Sequence, residues 1–312
     1  MNNLSNTIRA YFVEHFAELP LDKQFHFASR LWFWQQDETA RSLLDELRPA
    51  MLPTGDVIDS LRQIGSGQLL PLRPGSQNVL SLRAPFFARY PGLRRAATIL
   101  YYGLMLDACY GTNARERLSE ILPPDELKAL HDDLMNDPPA LAMLSTHAVN
   151  FIYLYHRYVQ QAENLPAVRT FTTLAGNPQI YDLADPLQTQ LRIYLLTHTI
   201  IGESMFYQSP IPADMLAAYQ SVMLLLEAII SENLSAINLD NKLEFLVCSR
   251  LTAYKTELEQ QLLQEAAASV SDHGSYLVDR HNANPQTLYT TFDKSEHRNL
   301  LYLLATTQRD AK

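Results

Sequence analysis

Apolar residues recur along most of the chain every three or four positions, which is the spacing of an amphipathic α-helix, whereas strand-like alternation is scarce. The longest apolar stretches, at 139–155 and 215–230, contain polar residues and therefore resemble buried helices rather than membrane spans. Because short breaks separate successive segments, neighbouring helices should run antiparallel. The pattern predicts an all-α fold in which paired antiparallel helices form an incomplete α/α toroid or an α-solenoid.

Glycine and proline interrupt this pattern most densely at 65–85, where we expect an irregular linker or a short β-hairpin. This break predicts an amino-terminal helical subdomain at 1–64, a linker at 65–90 and a main domain of helical hairpins at 91–312. Within these regions, helices are predicted at 6–19, 22–36, 39–47, 54–64, 93–110, 114–121, 125–136, 139–163, 186–207, 213–233, 236–267 and 288–306.

A short internal similarity indicates a repeated unit. His147 follows Ser145 and Thr146 and precedes an apolar aromatic run, and His198 follows Leu196 and Thr197 in a comparable setting. The two histidines are about 50 residues apart, a period that accommodates two helices and two turns. This period is typical of helical solenoids and closed helical arrays.

The composition excludes several classes of protein. With 312 residues, of which 47% are hydrophobic, the chain can bury a large core. Its net charge of -9 opposes binding to nucleic acid, and neither common Gly-rich phosphate loop is present. Two cysteines in apolar stretches, and an amino terminus without a secretory signal pattern, predict a cytoplasmic protein that does not insert into membranes.

One basic run departs from the acidic balance of the chain. Arg83, Arg89, Arg94 and Arg95 precede or begin a predicted helix, and their guanidinium groups could receive an anionic group there. The alternative is a solvated helix entrance, since charge runs usually face water.

Four polar residues recur at nearly even intervals in the second half of the chain. His147, His198, Glu244 and His297 each lie in or beside an apolar helical pattern, so each hairpin could direct one polar side chain towards a common centre. The alternative is that these residues have a structural role and only satisfy hydrogen bonds between buried helices. Gly202, four residues after His198, should permit close helix packing or a local distortion.

Convergence of these residues would create a metal site for zinc or iron. We expect His198, Asp240, Glu244 and His297 to supply it, with Asp240 either a ligand or a partner that orients a histidine. Asp240 and Glu244 share one helix face, and Arg250 is the local counter-ion expected to balance their charges.

The segment 269–285 is long and polar, and it contains His273 and His281 between two helical patterns. Connections of this length are often functional or mobile. We expect either a plain surface loop or a lid that closes over the central cavity.

A resemblance covers mainly residues 190–307. The segment ending in His198, the pair Asp240 and Glu244, and His297 with the leucines that follow it resemble a pattern in some uncharacterised all-helical bacterial proteins. Glu203 and the residues before His297 depart from that pattern. The resemblance implies a toroid-like helical fold with a polar centre, and it carries no activity that could be transferred.

Two functions of different class follow. The first is a metal-dependent or metal-free acid–base enzyme that acts on a small molecule or peptide in a central polar cavity. Its expected catalytic residues are His198, Glu203 and Glu244, and the expected ligand contacts are Tyr194, Tyr207 and Arg250. The second is a helical scaffold that binds a peptide or protein partner through a concave face without catalysis.

Overall fold

The structure is a computed structural model that describes residues 2–71, 77–279 and 291–309. Within these ranges the chain is helical and forms no β-strand beyond one isolated bridge between Val270 and Leu277, which confirms the all-α prediction. The α-helices are α1 (Asn2–Glu14), α2 (Leu21–Gln35), α3 (Glu38–Met51), α4 (Val57–Gly65), α5 (Gln77–Arg89), α6 (Leu93–Tyr110), α7 (Ala114–Arg117), α8 (Pro124–Met135), α9 (Pro138–Leu144), α10 (Thr146–Leu154), α11 (Leu165–Ala175), α12 (Pro186–Glu203), α13 (Leu216–Glu232), α14 (Leu239–Leu251), α15 (Glu259–Ala268) and α16 (Phe292–Thr306).

Helix boundaries follow the local signals where those signals are strong. Helix α6 has the predicted bounds, and it ends because Gly111 adopts a left-handed conformation with φ of 64°. Helix α12 begins at Pro186 as predicted, since the side chain of Asp185 accepts a hydrogen bond from the Leu187 amide at 2.9 Å.

Four segments differ from the prediction. The region expected to be an irregular linker contains α5, because most of its glycines and prolines precede Gln77 and Pro85 removes only one helical hydrogen bond. The helix predicted at 139–163 is divided at Ser145 into α9 and α10 and then continues as a π-helical segment, Tyr155–Gln160. The helix predicted at 236–267 is divided into α14 and α15, and α11 was not predicted.

The chain forms two compact units. The first unit comprises Met1–Asp45 and Met223–Lys312, and the second comprises Glu46–Val222. The predicted boundaries at 64 and 90 stay a prediction. The first unit joins two segments that are far apart in sequence, a grouping that depends on non-local contacts.

In the second unit, α10 packs against both α12 and α6. Gly202 on α12 faces the side chain of Tyr153 on α10 so closely that a Cβ atom there would lie 2.7 Å from the ring. The expectation that Gly202 permits close packing is therefore confirmed. The described helices include none that is both long enough and apolar enough to cross a lipid bilayer.

We expect the substitution Gly202→Ala to lower the free energy of unfolding by about 1–3 kcal/mol, because the added methyl group overlaps the buried Tyr153 ring. Chemical denaturation of the purified protein measures this change. The matched control is Gly176→Ala, where the added Cβ would meet its nearest neighbours at an ordinary 3.7 Å. Equal stability of the two variants would contradict the tight contact.

Candidate functional site

The contact between α10 and α12 brings together two of the four regularly spaced polar residues. His198 Nδ1 on α12 lies 2.8 Å from the amide oxygen of Asn150 on α10, so this nitrogen carries the hydrogen. The Tyr194 ring packs edge-on against His198 with the centroids 6.4 Å apart. His147 lies one turn before Asn150 on α10, and His198 is close enough to contribute to lowering its pKa.

A strained residue fixes where α10 begins. Ser145 lies between α9 and α10 with φ of 47° and ψ of -112°, a conformation that a non-glycine residue rarely adopts. Its buried hydroxyl donates a 2.8 Å hydrogen bond to the backbone carbonyl of Leu191 on α12. This bond holds the first turn of α10, which carries His147, against α12.

Two arginines of the basic run extend the histidine pair into a cationic cluster, which we define as Arg83, Arg94, His147 and His198. The Arg94 guanidinium lies 4.1 Å above the face of the Phe87 ring, and the His147 ring meets the same phenylalanine edge-to-face at 5.0 Å. Burial, followed by the charges of Arg83, Arg94 and His198, lowers the pKa of His147 to about 3. The imidazole of His147 is therefore neutral at physiological pH.

Arg83 is 8% exposed, and its Nε donates to the backbone carbonyl of Met143 at 3.0 Å. Burial and the positive charge of Arg94 lower the pKa of Arg83 to about 10, against an opposing effect of Tyr194 and Tyr181. Arg83 Nη2 and Arg94 Nε are buried donors with no hydrogen-bond partner in the part of the chain that the structure describes. The groups that shift the pKa of Arg83 or His147 there are cations, histidine and tyrosines, and none is a carboxylate.

The other two arginines of the run have partners elsewhere. Arg89 is exposed and forms an ion pair with Asp137, which also accepts a 2.9 Å hydrogen bond from the Tyr90 hydroxyl. Arg95 donates to the backbone carbonyl of Ile121 at 3.1 Å. Arg89 therefore faces solvent, as the alternative of a solvated helix entrance expects. For Arg83 and Arg94, binding of an anionic group remains a prediction.

Comparisons with protein-family models, with curated proteins and with solved structures returned no significant match. The function is therefore argued from the site itself.

Glu203 forms a second polar centre at the far end of α12. The residue is 2% exposed, and its Oε2 accepts hydrogen bonds from Asn164 Nδ2 at 2.8 Å and from the Tyr219 hydroxyl at 2.9 Å. The Tyr153 and Tyr219 hydroxyls are 3.0 Å apart, and burial raises the pKa of both phenols. Sequence reasoning identified Glu203 but missed these partners, because they come from three different parts of the chain.

Two segments of irregular backbone lie near Glu203. Met205, Phe206 and Tyr207 all have positive φ, a run that non-glycine residues rarely adopt. The π-helical segment supplies Arg157, whose Nη1 lies 3.8 Å from Glu203 Oε1. An open cavity of about 270 Å³ next to this pair is lined by Arg115, Arg157, Gln161 and Met205.

The predicted ligand contacts occupy different environments. Tyr194 is half-buried beside His198, and its hydroxyl accepts from Gln190 at 3.0 Å. Tyr207 is 5% exposed, and its amide donates to Ser204 Oγ at 3.0 Å. Arg250, in the first unit, lines an open cavity of about 610 Å³ together with Glu259.

The first unit contains the remaining predicted site residues. Asp240 Oδ2 accepts a 2.9 Å hydrogen bond from the buried Arg298, and the half-buried His297 ring lies 5.6 Å from that of His26. Glu244 is 2% exposed on α14, one turn after Asp240.

The expectation that Arg250 balances Asp240 and Glu244 is wrong for Asp240. Arg250 forms a two-point ion pair with Glu259, with contacts of 2.5 and 3.0 Å, while Arg298 pairs with Asp240. The reason is geometric, because ten helical residues separate Asp240 from Arg250 by about 15 Å along the axis.

The remaining predictions concern the metal site and the polar segment 269–285. Among the residues that the structure describes, no group of three or more His, Cys, Asp or Glu side chains is arranged to hold a metal ion. The set of His198, Asp240, Glu244 and His297 stays a prediction. His273 is exposed in a turn closed by the Val270–Leu277 bridge, whereas His281 lies outside the described residues.

Replacing Tyr219 by phenylalanine tests the second centre. We expect Tyr219→Phe to lower the free energy of unfolding by about 1–3 kcal/mol, because Glu203 loses a buried donor and Tyr153 loses its hydroxyl partner. Thermal or urea unfolding measures the change. Tyr11→Phe, at a half-buried tyrosine in the first unit, controls for the loss of a hydroxyl group. An unchanged Tyr219→Phe protein would show that the network does not stabilise the fold.

Proposed function

We propose that the second unit binds a small molecule through an anionic group, a carboxylate or a phosphate, at the cationic cluster of Arg83, Arg94, His147 and His198. The observation that carries this proposal is the pair of buried guanidinium donors, Arg83 Nη2 and Arg94 Nε, that lack a hydrogen-bond partner within the described residues. Two neighbouring cationic side chains without a carboxylate between them leave a position that an anion would fill.

Energetics support this assignment over a purely structural role. A buried charge without a counter-charge destabilises a fold by several kcal/mol, roughly, unless another group compensates it. Arg83 pairs with no carboxylate in the described part of the chain, and burial and the charge of Arg94 lower its pKa, which Tyr194 and Tyr181 offset only in part. An anion would reverse both effects, and guanidinium geometry matches carboxylate and phosphate oxygens.

The histidines add directional contacts at the same place. Asn150 holds the His198 ring with hydrogen on Nδ1, and the neutral His147 can accept a proton when negative charge arrives beside it. Tyr194 packs against His198 and completes one wall of the site. This proposal develops the small-molecule hypothesis with His198 and Tyr194 as ligand contacts, and it does not require a metal.

Several more detailed features predicted from the sequence are also proposals. An incomplete toroid or solenoid of paired helices is one of these features, and the packing of α10 against α12 is compatible with it. A catalytic role for Glu203, the metal set and a cytoplasmic location remain proposals. The scaffold hypothesis remains an alternative without a specific contact in its favour.

The substitution Arg83→Met tests the anion site. Wild-type protein should be stabilised by millimolar inorganic phosphate or sulfate, and the variant should bind either anion at least about tenfold more weakly, which corresponds to about 1.4 kcal/mol. Calorimetric titration measures the affinity, and thermal unfolding with and without anion measures the stabilisation. Without anion, the variant should unfold at the same or a higher temperature, because methionine removes an uncompensated buried charge.

Arg95→Gln is the matched control, since it removes the same charge from an exposed position on α6, the helix that carries Arg94. It should leave anion affinity within about twofold of the wild type. Equal loss in both variants would indicate a general effect of net charge. An Arg83→Met protein that is less stable without anion and binds sulfate normally would contradict the proposal.

Anion binding should strengthen as the pH falls. His147 is neutral in the free protein because its pKa is about 3, and a bound anion raises that pKa, so binding takes up a proton. Below the pKa of the complex, affinity should rise by up to about tenfold per pH unit. Measuring the affinity for sulfate at several pH values gives this dependence, because sulfate itself does not change its protonation state over that range. His147→Gln should abolish the slope, and a slope retained in that variant would exclude His147 as its source.

A further inference from the structure

A chain of hydrogen bonds fixes the protons on two histidines that lie outside the cationic cluster. On α8, His131 Nδ1 lies 2.9 Å from a carboxylate oxygen of Asp132. Because an ionised carboxylate only accepts hydrogen bonds, His131 Nδ1 must carry a hydrogen.

The other end of the chain is equally constrained. Asn164 Nδ2 donates to Glu203 Oε2 at 2.8 Å, so the amide oxygen of Asn164 is directed at His156 Nδ1, 2.9 Å away. An amide oxygen accepts, and His156 Nδ1 therefore also carries a hydrogen. The buried carboxylate of Glu203 thus determines the tautomer of a histidine that it does not touch.

The two rings meet through their remaining nitrogens. His131 Nε2 and His156 Nε2 are 2.8 Å apart, which is a hydrogen-bond distance. Two bare nitrogens would place lone pairs against each other, and two protonated nitrogens would place hydrogens against each other. One proton between them is the arrangement that makes a hydrogen bond, so three protons occupy the four ring nitrogens and the pair carries one positive charge.

We propose that His131 and His156 form a proton-binding site that holds a single proton between two imidazoles, with Asp132 as its counter-ion. This inference is independent of the proposed anion site, because it involves other residues and another ligand. The proton reaches the pair from water, since the His131 side chain is 16% exposed.

The two rings have different surroundings. Burial lowers the pKa of His156, the hydrogen bond to Asn164 raises it, and the nearby His131 lowers it. Asp132 lies beside His131, so the counter-ion is on the His131 side of the pair, and the pKa of Asp132 is itself lowered by Lys128 and then by His131.

The remaining neighbours complete the electrostatic environment of the pair. The Tyr155 ring lies 4.9 Å from that of His131, and the π-helical segment also carries Arg157. Glu203 is the nearest carboxylate along the chain of hydrogen bonds beyond Asn164. The pair is thus bounded by one carboxylate at each end.

The hydrogen on His156 Nδ1, which is not the shared proton, positions the groups around Glu203. An amide does not relay protons readily, so Asn164 transmits orientation rather than protons. While His156 Nδ1 carries hydrogen, Asn164 keeps its oxygen towards His156 and its NH2 group towards Glu203. His156 is therefore a positioning residue for the Glu203 carboxylate, and loss of the shared proton removes the contact that connects His156 to α8.

Nuclear magnetic resonance of the full-length protein labelled with 15N-histidine tests this inference over about pH 4 to 9. The pair should release protons in two steps separated by more than about one pH unit, because the first proton leaves a repelling doubly charged pair and the second leaves the shared position. The exposed His273, which is outside the pair, serves as an internal reference. Two independent, overlapping titrations at residues 131 and 156 would overturn the proposal.

Two variants identify the source of the behaviour. Asp132→Asn should shift release of the shared proton to lower pH, because the charged pair loses its counter-ion, whereas the neighbouring and exposed Asp133→Asn should shift it far less. His131→Gln should leave His156 with a single titration step. If both aspartate variants behave alike, or if His156 still titrates in two steps without His131, the two rings do not share a proton. Asp132 is largely exposed, so its replacement tests the site without disturbing the core.

Discussion

The close approach of α10 and α12 is the constraint on which the second unit depends. Gly202 allows it, because any side chain at that position would overlap Tyr153. At one end of the contact, the Ser145 hydroxyl and Asn150 hold α10 to α12 and bring His147 and His198 together. At the other end, Glu203 is closed in by Tyr219 and Asn164. One helix pair therefore positions two polar centres of opposite charge.

The two centres differ in how their buried charges are satisfied. Glu203 receives two hydrogen bonds on one oxygen and has a nearby guanidinium on the other, so its burial is largely compensated. Arg83 has one backbone acceptor and a second arginine as a neighbour. A compensated group can be explained by stability alone, whereas an uncompensated one favours a role in ligand binding. This contrast is the reason for placing the proposed function at the cationic cluster.

Unusual backbone geometry occurs beside these centres. Ser145 directly precedes the turn that carries His147, and the left-handed residues Met205 to Tyr207 directly follow Glu203. The π-helical segment supplies both His156 and Arg157. Such conformations are destabilising by about 1–3 kcal/mol each and persist where the surrounding packing determines them. At Ser145, the hydrogen bond from its hydroxyl to the Leu191 carbonyl on α12 holds the strained residue in place.

The sequence by itself determined the helical class, the bounds of α6, the start of α12 and the close packing at Gly202. These features depend on local quantities: the spacing of apolar residues, the capping residue and a glycine inside an apolar helix. It also indicated that the arginine run could receive an anion. Only the tertiary structure decided that the side chains of Arg83 and Arg94 turn inward, because their burial depends on how helices pack against one another.

The partners of each polar residue were likewise decided by the fold. Asn164 and Tyr219 meet at Glu203 across 39 and 16 residues of sequence, and Arg298 displaces Arg250 as the partner of Asp240 across 58. The proton shared by His131 and His156 has no signature in the sequence at all. Periodicity reports which face of a helix is buried, but the identity of the neighbour on that face depends on non-local packing, and the charge state of a buried group depends on that neighbour.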